Sequence, residues 1–234
     1  MLESREITMK FGPVTALDHV SLKLEPGHIY AMLGPNGSGK TTWMKLATGL
    51  LKPAEGEMLW NGAPVGVESR REIAYMSTEP YFYSWMSIRQ VGKYYQDFFR
   101  DYDPARFDAL LARMELDPAL KVKNLSSGMM AKLKVAVTLS RRARVWLLDE
   151  PFNGIDLIAR DAIAQSIIES AGEDRIIVLS SHLVEEMEAI ADWAVFIRKG
   201  VLVESCDLEE MRQRTGQSMA DRYRSIYGTE KEVI

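Results

Sequence analysis

Eight consecutive residues, Gly34-Pro35-Asn36-Gly37-Ser38-Gly39-Lys40-Thr41, carry the densest chemical signal in the chain. They match G-x-x-x-x-G-K-[ST], a loop whose glycines let successive backbone N–H groups turn inward around phosphate oxygens. The helix opened by such a loop adds positive potential at its N-terminus. Lys40 is placed to reach the β- and γ-phosphates of a nucleotide as a point charge, and the Thr41 hydroxyl to ligate Mg2+. A second segment, Val145-Trp146-Leu147-Leu148-Asp149-Glu150, is an apolar run ending in two carboxylates. Ligands of open α/β sheets bind beyond the carboxyl ends of strands. Asp149 is therefore expected to hold Mg2+ through water, and Glu150 to accept a proton from an attacking water. Alone, the pair also reads as an acidic turn capping the next helix; the phosphate loop favours the metal.

Two other segments give weaker signals. Leu125-Ser126-Ser127-Gly128-Met129 precedes apolar residues at helical spacing. Ser126 can cap that helix, and the N–H groups around Gly128 can form another anion site. On its own this segment is first of all an ordinary cap. His182, taken alone, is a satisfied core or surface histidine; its place just past the strand-like run 176–181 points to the site instead.

The elements that must position these residues are readable nearby. Val20-Ser21-Leu22-Lys23-Leu24 alternates apolar and polar as a half-buried strand does, before a Pro26-Gly27 turn. Ile29-Tyr30-Ala31-Met32-Leu33 is continuously apolar, as expected of a strand buried on both faces. A helix begins at Lys40 and closes near Gly49, with Pro53 beyond it. A short strand runs through residues 57–60. The runs at 145–148 and 176–179 flank a helix spanning 157–171 that Gly172 stops, a parallel crossover unit. Asp149 follows Lys40 by 109 positions, a span filled from about Glu79 to Ser140 by helical periodicity. The fold class is α/β: a mostly parallel core (1–78 and 141–205), an inserted helical part (79–140) and a helical tail (206–234). In the tail, Met219, Tyr223, Ile226 and Tyr227 form one helix face, expected to dock on the core.

Composition removes several alternatives. Hydrophobic residues at 47% and charged residues at 26% fit a globular chain and exclude a disordered one. A net charge of −4 argues against a free-standing nucleic-acid binder. One cysteine, Cys206, forms no internal disulfide, and with three histidines it makes no structural zinc site. No apolar stretch reaches the roughly 18–20 residues that cross a bilayer, and the charged start is unlike a signal peptide. The expected location is cytoplasmic.

Taken in order, these motifs resemble the ATP-binding-cassette (ABC) ATPases over residues 7–203, most of the chain. The resemblance implies a P-loop NTPase (RecA-like) fold with an N-terminal antiparallel β part. Residues 34–42, including Thr42, look like the family's Walker A loop, and 145–150 like its Walker B strand with the catalytic Glu150. Residues 125–129 are similar to the signature Leu-Ser-Gly-Gly-Gln. Asn153-Gly154-Ile155-Asp156 occupies the D-loop position, His182 that of the switch histidine, and Phe11 that of the aromatic residue stacking on adenine. The resemblance also implies ATP and Mg2+ as cofactors and a head-to-tail dimer, homodimeric or with another ABC ATPase. In it, Ser126, Ser127 and Gly128 of one subunit face the γ-phosphate on Lys40 of the other, with Asp156 at the interface. The partners implied are separate transmembrane permease subunits, the style that of ABC-2 exporters. Contact with the membrane is then indirect, peripheral at its cytoplasmic face, with no nucleic-acid partner. Alternatives are a regulatory, weakly hydrolysing half of a heterodimer, or a soluble ABC ATPase outside transport.

The chain departs from the family pattern at three places. Thr78 stands where a Q-loop glutamine is usual, so Thr78 or neighbouring Glu79 would have to serve the metal. Ser127 replaces a signature glycine and Met129 the signature glutamine. An active but slow ATPase is the expectation. Nine of the chain's 21 aromatic residues fall within 81–102, too concentrated for an evenly built core. Some of Tyr81, Phe82, Tyr83 and Trp85 are expected to line a groove for the membrane subunits, with Phe98 and Phe99 packed inside.

Overall fold

A computed structural model describes residues 1–228. Strands β1 (Leu2–Phe11) and β2 (Val14–Leu24) pair antiparallel, followed by β3 (His28–Leu33) and helix α1 (Lys40–Ala47). Next come β4 (Glu55–Trp60), β5 (Ala63–Pro64), β6 (Ile73–Met76), α2 (Ile88–Phe98), α3 (Pro104–Arg113) and α4 (Ser127–Leu139). The chain continues through β7 (Val145–Asp149), α5 (Leu157–Ile168), β8 (Ile176–Ser181), α6 (Val184–Glu188), β9 (Trp193–Arg198), β10 (Val201–Asp207), α7 (Leu208–Thr215) and α8 (Met219–Tyr227).

These strands form two sheets. The antiparallel one has the order β2-β1-β4-β5; the larger runs β10-β9-β3-β8-β7-β6, parallel except for β10. The α/β class with a mostly parallel core and an antiparallel N-terminal part is as the motifs imply. Strands β7 and β8 are buried along their whole lengths, and β3 from Ile29 onward, because both faces of the large sheet are covered. Trp43, Met44 and Leu46 of α1 fill one core between the two sheets. The other core packs α3, α4 and α5 against the opposite face, around Trp146, Leu148 and Ile177.

Only the end of β2 alternates in the sequence because a bulge interrupts the strand. Its buried residues step from Leu17 to Val20 and then to Leu22 and Leu24, and His19 between them has φ 47°. A bulge resets which face the side chains point to, so the period-two pattern starts afresh after it.

Inside 79–140 the helices are locally specified. Ser87 and Gln90 make a capping box on α2, Asp103 caps α3 with Pro104 at the first turn, and the Ser126 hydroxyl caps α4 by accepting from Met129 N–H at 3.2 Å. Phe98 is a correction: it is 68% exposed, while Phe99 lies half-buried under the Arg141 guanidinium, 4.1 Å from its ring centre. Adjacent residues on a helix end face different directions, and only Phe99 turns toward the sheet.

The tail needs a second correction. Cys206 is not helical: Ser205, Cys206 and Asp207 extend β10 against Val195, Ala194 and Trp193. The helix starts one residue after Asp207 begins its cap, with the Asp207 carboxylate accepting from the N–H groups of Glu209 and Glu210. In α8, Met219, Ile226 and Tyr227 are buried and Tyr223 packs beside them, the docking expected of that stripe. The Tyr227 hydroxyl lies 3.1 Å from the Leu33 carbonyl and 2.9 Å from that of Ile197, at the ends of β3 and β9. Residues 229–234 of the expected tail lie outside the described residues. No helix among the described residues is long and apolar enough to cross a membrane.

Candidate nucleotide site

The phosphate-loop motif leaves the end of β3 and opens α1, as a strand-to-helix turn should. Gly39 sits at φ 113°, and a Cβ there would stand 2.8 Å from the Ala16 carbonyl and 2.7 Å from Leu17, so no larger residue fits without displacing β2. No side chain caps α1, which leaves its first N–H groups to an incoming ligand. Lys40 is only 6% exposed, and its ammonium donates to the carbonyls of Gly34 (2.7 Å) and Pro35 (3.2 Å). Burial pulls its pKa down, while Glu150 and Asp149 pull it back up.

A cleft of about 440 Å3 opens above this loop. Its walls include Phe11, Ala16, residues 36–42, Thr78, Glu150, Asn153 and His182. Phe11, half-exposed, thus shares a cleft with Thr41 although 30 residues separate them. Glu150 lies between two cationic or proton-carrying groups. One carboxylate oxygen is 3.9 Å from the Lys40 ammonium, and the other is 2.9 Å from His182 Nδ1. Its backbone is left-handed, at φ 51°, which turns the carboxylate off the strand line and is a strained geometry for a non-glycine residue. That geometry is anchored by its own N–H, which donates to the Ser180 hydroxyl at 3.0 Å.

Asp149 is fully buried at the end of β7. The Ser180 hydroxyl donates to one of its oxygens at 2.5 Å and the Tyr75 hydroxyl to the other at 3.4 Å. Burial and the Asp149 charge both push the Tyr75 pKa up, so it stays protonated and remains a donor. Neither Ser180 nor Tyr75 stands out in the sequence. A usable signal exists for Ser180: parallel pairing of β7 with β8 sets Asp149 directly opposite it. Asn153 carries no sequence signal beyond its loop position, yet it lines the cleft.

The donor set fits a polyphosphate. It offers a buried ammonium, an uncapped helix start, the Thr41 and Thr42 hydroxyls, and the buried Ser38 hydroxyl, which has no hydrogen-bond partner among the described residues. The oxygen ligands Thr41 and Asp149 suit Mg2+. Among the described residues no group of three or more His, Cys, Asp or Glu could hold a metal, so the remaining ligands would come from phosphate and water. Of Thr78 and Glu79, only Thr78 lines the cleft.

Ser126, Ser127, Gly128 and Asp156 do not line it. A Cβ on Gly128 would stand 2.8 Å from the Gly154 carbonyl, so the start of α4 packs tightly on the 153–156 loop. Ser127 instead lines a neighbouring cavity with Thr78, Glu150, Asn153 and Gly154. Asp156 caps α5 through Ala159 N–H at 3.0 Å. On another face, Tyr81, Phe82, Tyr83, Tyr94, Tyr95 and Phe98 line an aromatic groove of about 280 Å3. Trp85, 60% exposed, stacks on Tyr83 with ring centres 5.9 Å apart.

Comparison with known proteins agrees with this architecture. The ABC transporter family model matches residues 17–153. Lantibiotic transport ATP-binding protein SrtF of Streptococcus pyogenes is 31% identical over 205 residues, which cover 87% of this chain and 89% of that one. ABC transporter ATP-binding protein YtrB of Bacillus subtilis is 28% identical over 216 residues, 91% and 74% of the two chains. Ribose import ATP-binding protein RbsA of Rhodopirellula baltica is 30% identical over 231 residues, 90% of this chain and 44% of that one. A solved structure described as an ATP binding subunit of an ABC transporter superposes with a TM-score of 0.87 at 24% identity, over 97% and 99% of the chains. A dimeric cassette, MJ0796 in a post-hydrolysis state with ADP and Pi, gives 0.79 at 20% identity, over 89% and 99%; likenesses this distant speak for the fold alone. The chain belongs to the ABC transporter family, as an ATP-binding cassette with ATPase activity.

Proposed function

We propose that this cassette drives export through membrane-spanning subunits on separate chains, from the cytoplasmic face and without itself entering the bilayer. Two cassettes, copies or homologues, meet head to tail. Each phosphate-loop cleft is then closed by Ser126, Ser127 and Gly128 of the other, with Asp156 beside the seam. The observation that carries this reading is Glu150, held between Lys40 and His182 in a cleft that its own signature segment does not reach.

The residues divide the work by chemistry. Lys40 trades its bonds to the Gly34 and Pro35 carbonyls for phosphate oxygens, which are stronger, charged acceptors. Thr41 and the buried Asp149 would hold Mg2+, which would supply positive charge to the β- and γ-phosphates. Phe11 would stack on the adenine ring, and Thr78 lines the cleft where a longer polar side chain would be usual. Glu150 accepts the proton of the attacking water, and His182 orients that carboxylate. The SrtF match, which spans nearly all of a lantibiotic transport ATP-binding protein, supports a transport role, and the export direction follows the ABC-2 style of the motifs. The aromatic groove around Tyr83 and Trp85 receives the membrane subunits, its exposed rings being the kind of anchor that interfaces use.

Glu150→Gln tests the assignment. The amide cannot accept the proton, so hydrolysis should fall by about 100-fold or more, while Mg-ATP binding persists and a dimer accumulates on gel filtration. An undiminished rate in Glu150→Gln would refute the role of Glu150. A dimer that forms only after a second cassette is added would make the assembly a heterodimer.

A further inference from the structure

We infer that Lys134 is a positioning residue for ATP hydrolysis, a cationic clamp that fixes the loop after β6 to the signature helix α4. The inference rests on the functional reading above and adds a residue to it.

Lys134 sits in the middle of α4 and is 6% exposed. Of the eight buried positions in that helix it alone carries a charge, among Leu133, Val135, Ala136 and Val137. Its ammonium donates to the carbonyls of Ser77 at 2.9 Å and Thr78 at 2.7 Å. Among the described residues no carboxylate forms an ion pair with it. Burial lowers its pKa, and the Asp149 charge works in the opposite direction.

A charge placed in a helix core without an adjacent counter-ion is costly, and an apolar residue of the same length would pack there more favourably. What the lysine obtains for that cost is a connection. The two carbonyls belong to the loop that runs off the end of β6, beside Asp149 at the end of β7. Glu79 precedes Pro80, which restricts its backbone to extended conformations and stiffens the loop. Thr78 faces the nucleotide cleft on one side. On the other it faces a cavity of about 360 Å3 that it shares with Lys134, Ser127, Glu150 and Asn153. The ammonium therefore joins three things: the wall of the cleft at Thr78, the helix whose first turn carries Ser127 and Gly128, and, through space, the Asp149 carboxylate. With Lys134 in place, the signature helix and the cleft wall move as one body when a partner cassette closes on the nucleotide.

The test compares the wild type with Lys134→Met and Lys134→Arg in steady-state Mg-ATP hydrolysis, equilibrium Mg-ATP binding and thermal unfolding. Removing two charge-assisted bonds that hold a catalytic loop should lower kcat by about tenfold or more. ATP affinity should stay within about twofold and Tm should be unchanged or higher, because Met fits the same slot. Lys134→Arg keeps donors for both carbonyls and should restore most of the rate. A kcat within about twofold of wild type in folded Lys134→Met overturns the inference. So does a parallel fall of kcat, affinity and Tm that Arg does not rescue, since that is a packing defect. If Lys134→Met fails to fold, Lys134→Gln, too short to span both carbonyls, is judged by the same criteria. A wild-type protein that neither binds nor hydrolyses Mg-ATP removes both this inference and the reading on which it rests.

Discussion

Lys40→Met separates what the buried ammonium does for the ligand from what it does for the fold. In the free chain that ammonium is buried with two carbonyl partners and a carboxylate 3.9 Å away. Met has a similar length and no charge to desolvate, so the free protein should be as stable as wild type or more so. The nucleotide, in contrast, loses two charge-assisted bonds, about 3 kcal/mol in all, or about 100-fold in Kd. At a ligand concentration about 100 times the wild-type Kd, binding stabilises the wild type by about 2.7 kcal/mol and the variant by about 0.4 kcal/mol. For a chain of this size that corresponds to a rise in Tm of about 5–11 °C against about 1–2 °C. Thermal unfolding over a Mg-ATP titration measures both. An equal shift in the two proteins would refute the placement of the phosphates over Lys40. A large fall in Tm without ligand would mean that the lysine is a structural staple. The same variant has a signature in pH. Burial sets the folded-state pKa of Lys40 below its unfolded value, so between the two the unfolded chain holds the extra proton. Stability therefore rises as the pH climbs through that window toward the ordinary lysine value, and Lys40→Met should flatten the slope.

Two further sets of substitutions probe other faces. Tyr83→Ala and Trp85→Ala remove rings that are 57% and 60% exposed, so stability should change by only about 0.5 kcal/mol. Co-purification with the membrane subunits should weaken by about tenfold or more; unfolding instead would assign these rings to the core. Arg141→Met strips the guanidinium from Asp101, to which its Nε donates at 2.9 Å, and from the Arg71 carbonyl at 3.0 Å. Urea unfolding should show a loss of about 3 kcal/mol, and a loss below about 1 kcal/mol would mean that water replaces the pair.

The parts of the site that are contiguous in the chain are legible without a structure. The phosphate loop and the Asp149-Glu150 pair need only a strand, a turn and a helix in sequence, and each leaves a local pattern. The groups that tune them do not. Ser180 and Tyr75 reach Asp149 from two neighbouring strands, and nothing in the residues around either announces it; the strand order β3-β8-β7-β6 has to be known first. Lys134 looks like one more polar residue on a helix until α4 proves to be buried on nearly every side. Phe98 escapes the sequence for a related reason: aromatic density says that rings cluster, but not which ring at a helix end turns outward. The edge of β10 at Cys206 is equally hidden, because a charged strand at a sheet border resembles a helix start once Asp207 and two glutamates come after it. Ser126, Ser127, Gly128 and Asp156 are a different case, since their motif is visible but the nucleotide cleft of a single chain does not include them.

The Tyr227 hydroxyl has a consequence for how the molecule is made. It touches the Leu33 carbonyl, 194 positions earlier, immediately before the first glycine of the phosphate loop. A ribosome releases that loop 194 residues before its brace. Until Tyr227 has emerged and α8 has folded back, the nascent chain therefore carries a phosphate loop whose leading strand end lacks this hydroxyl.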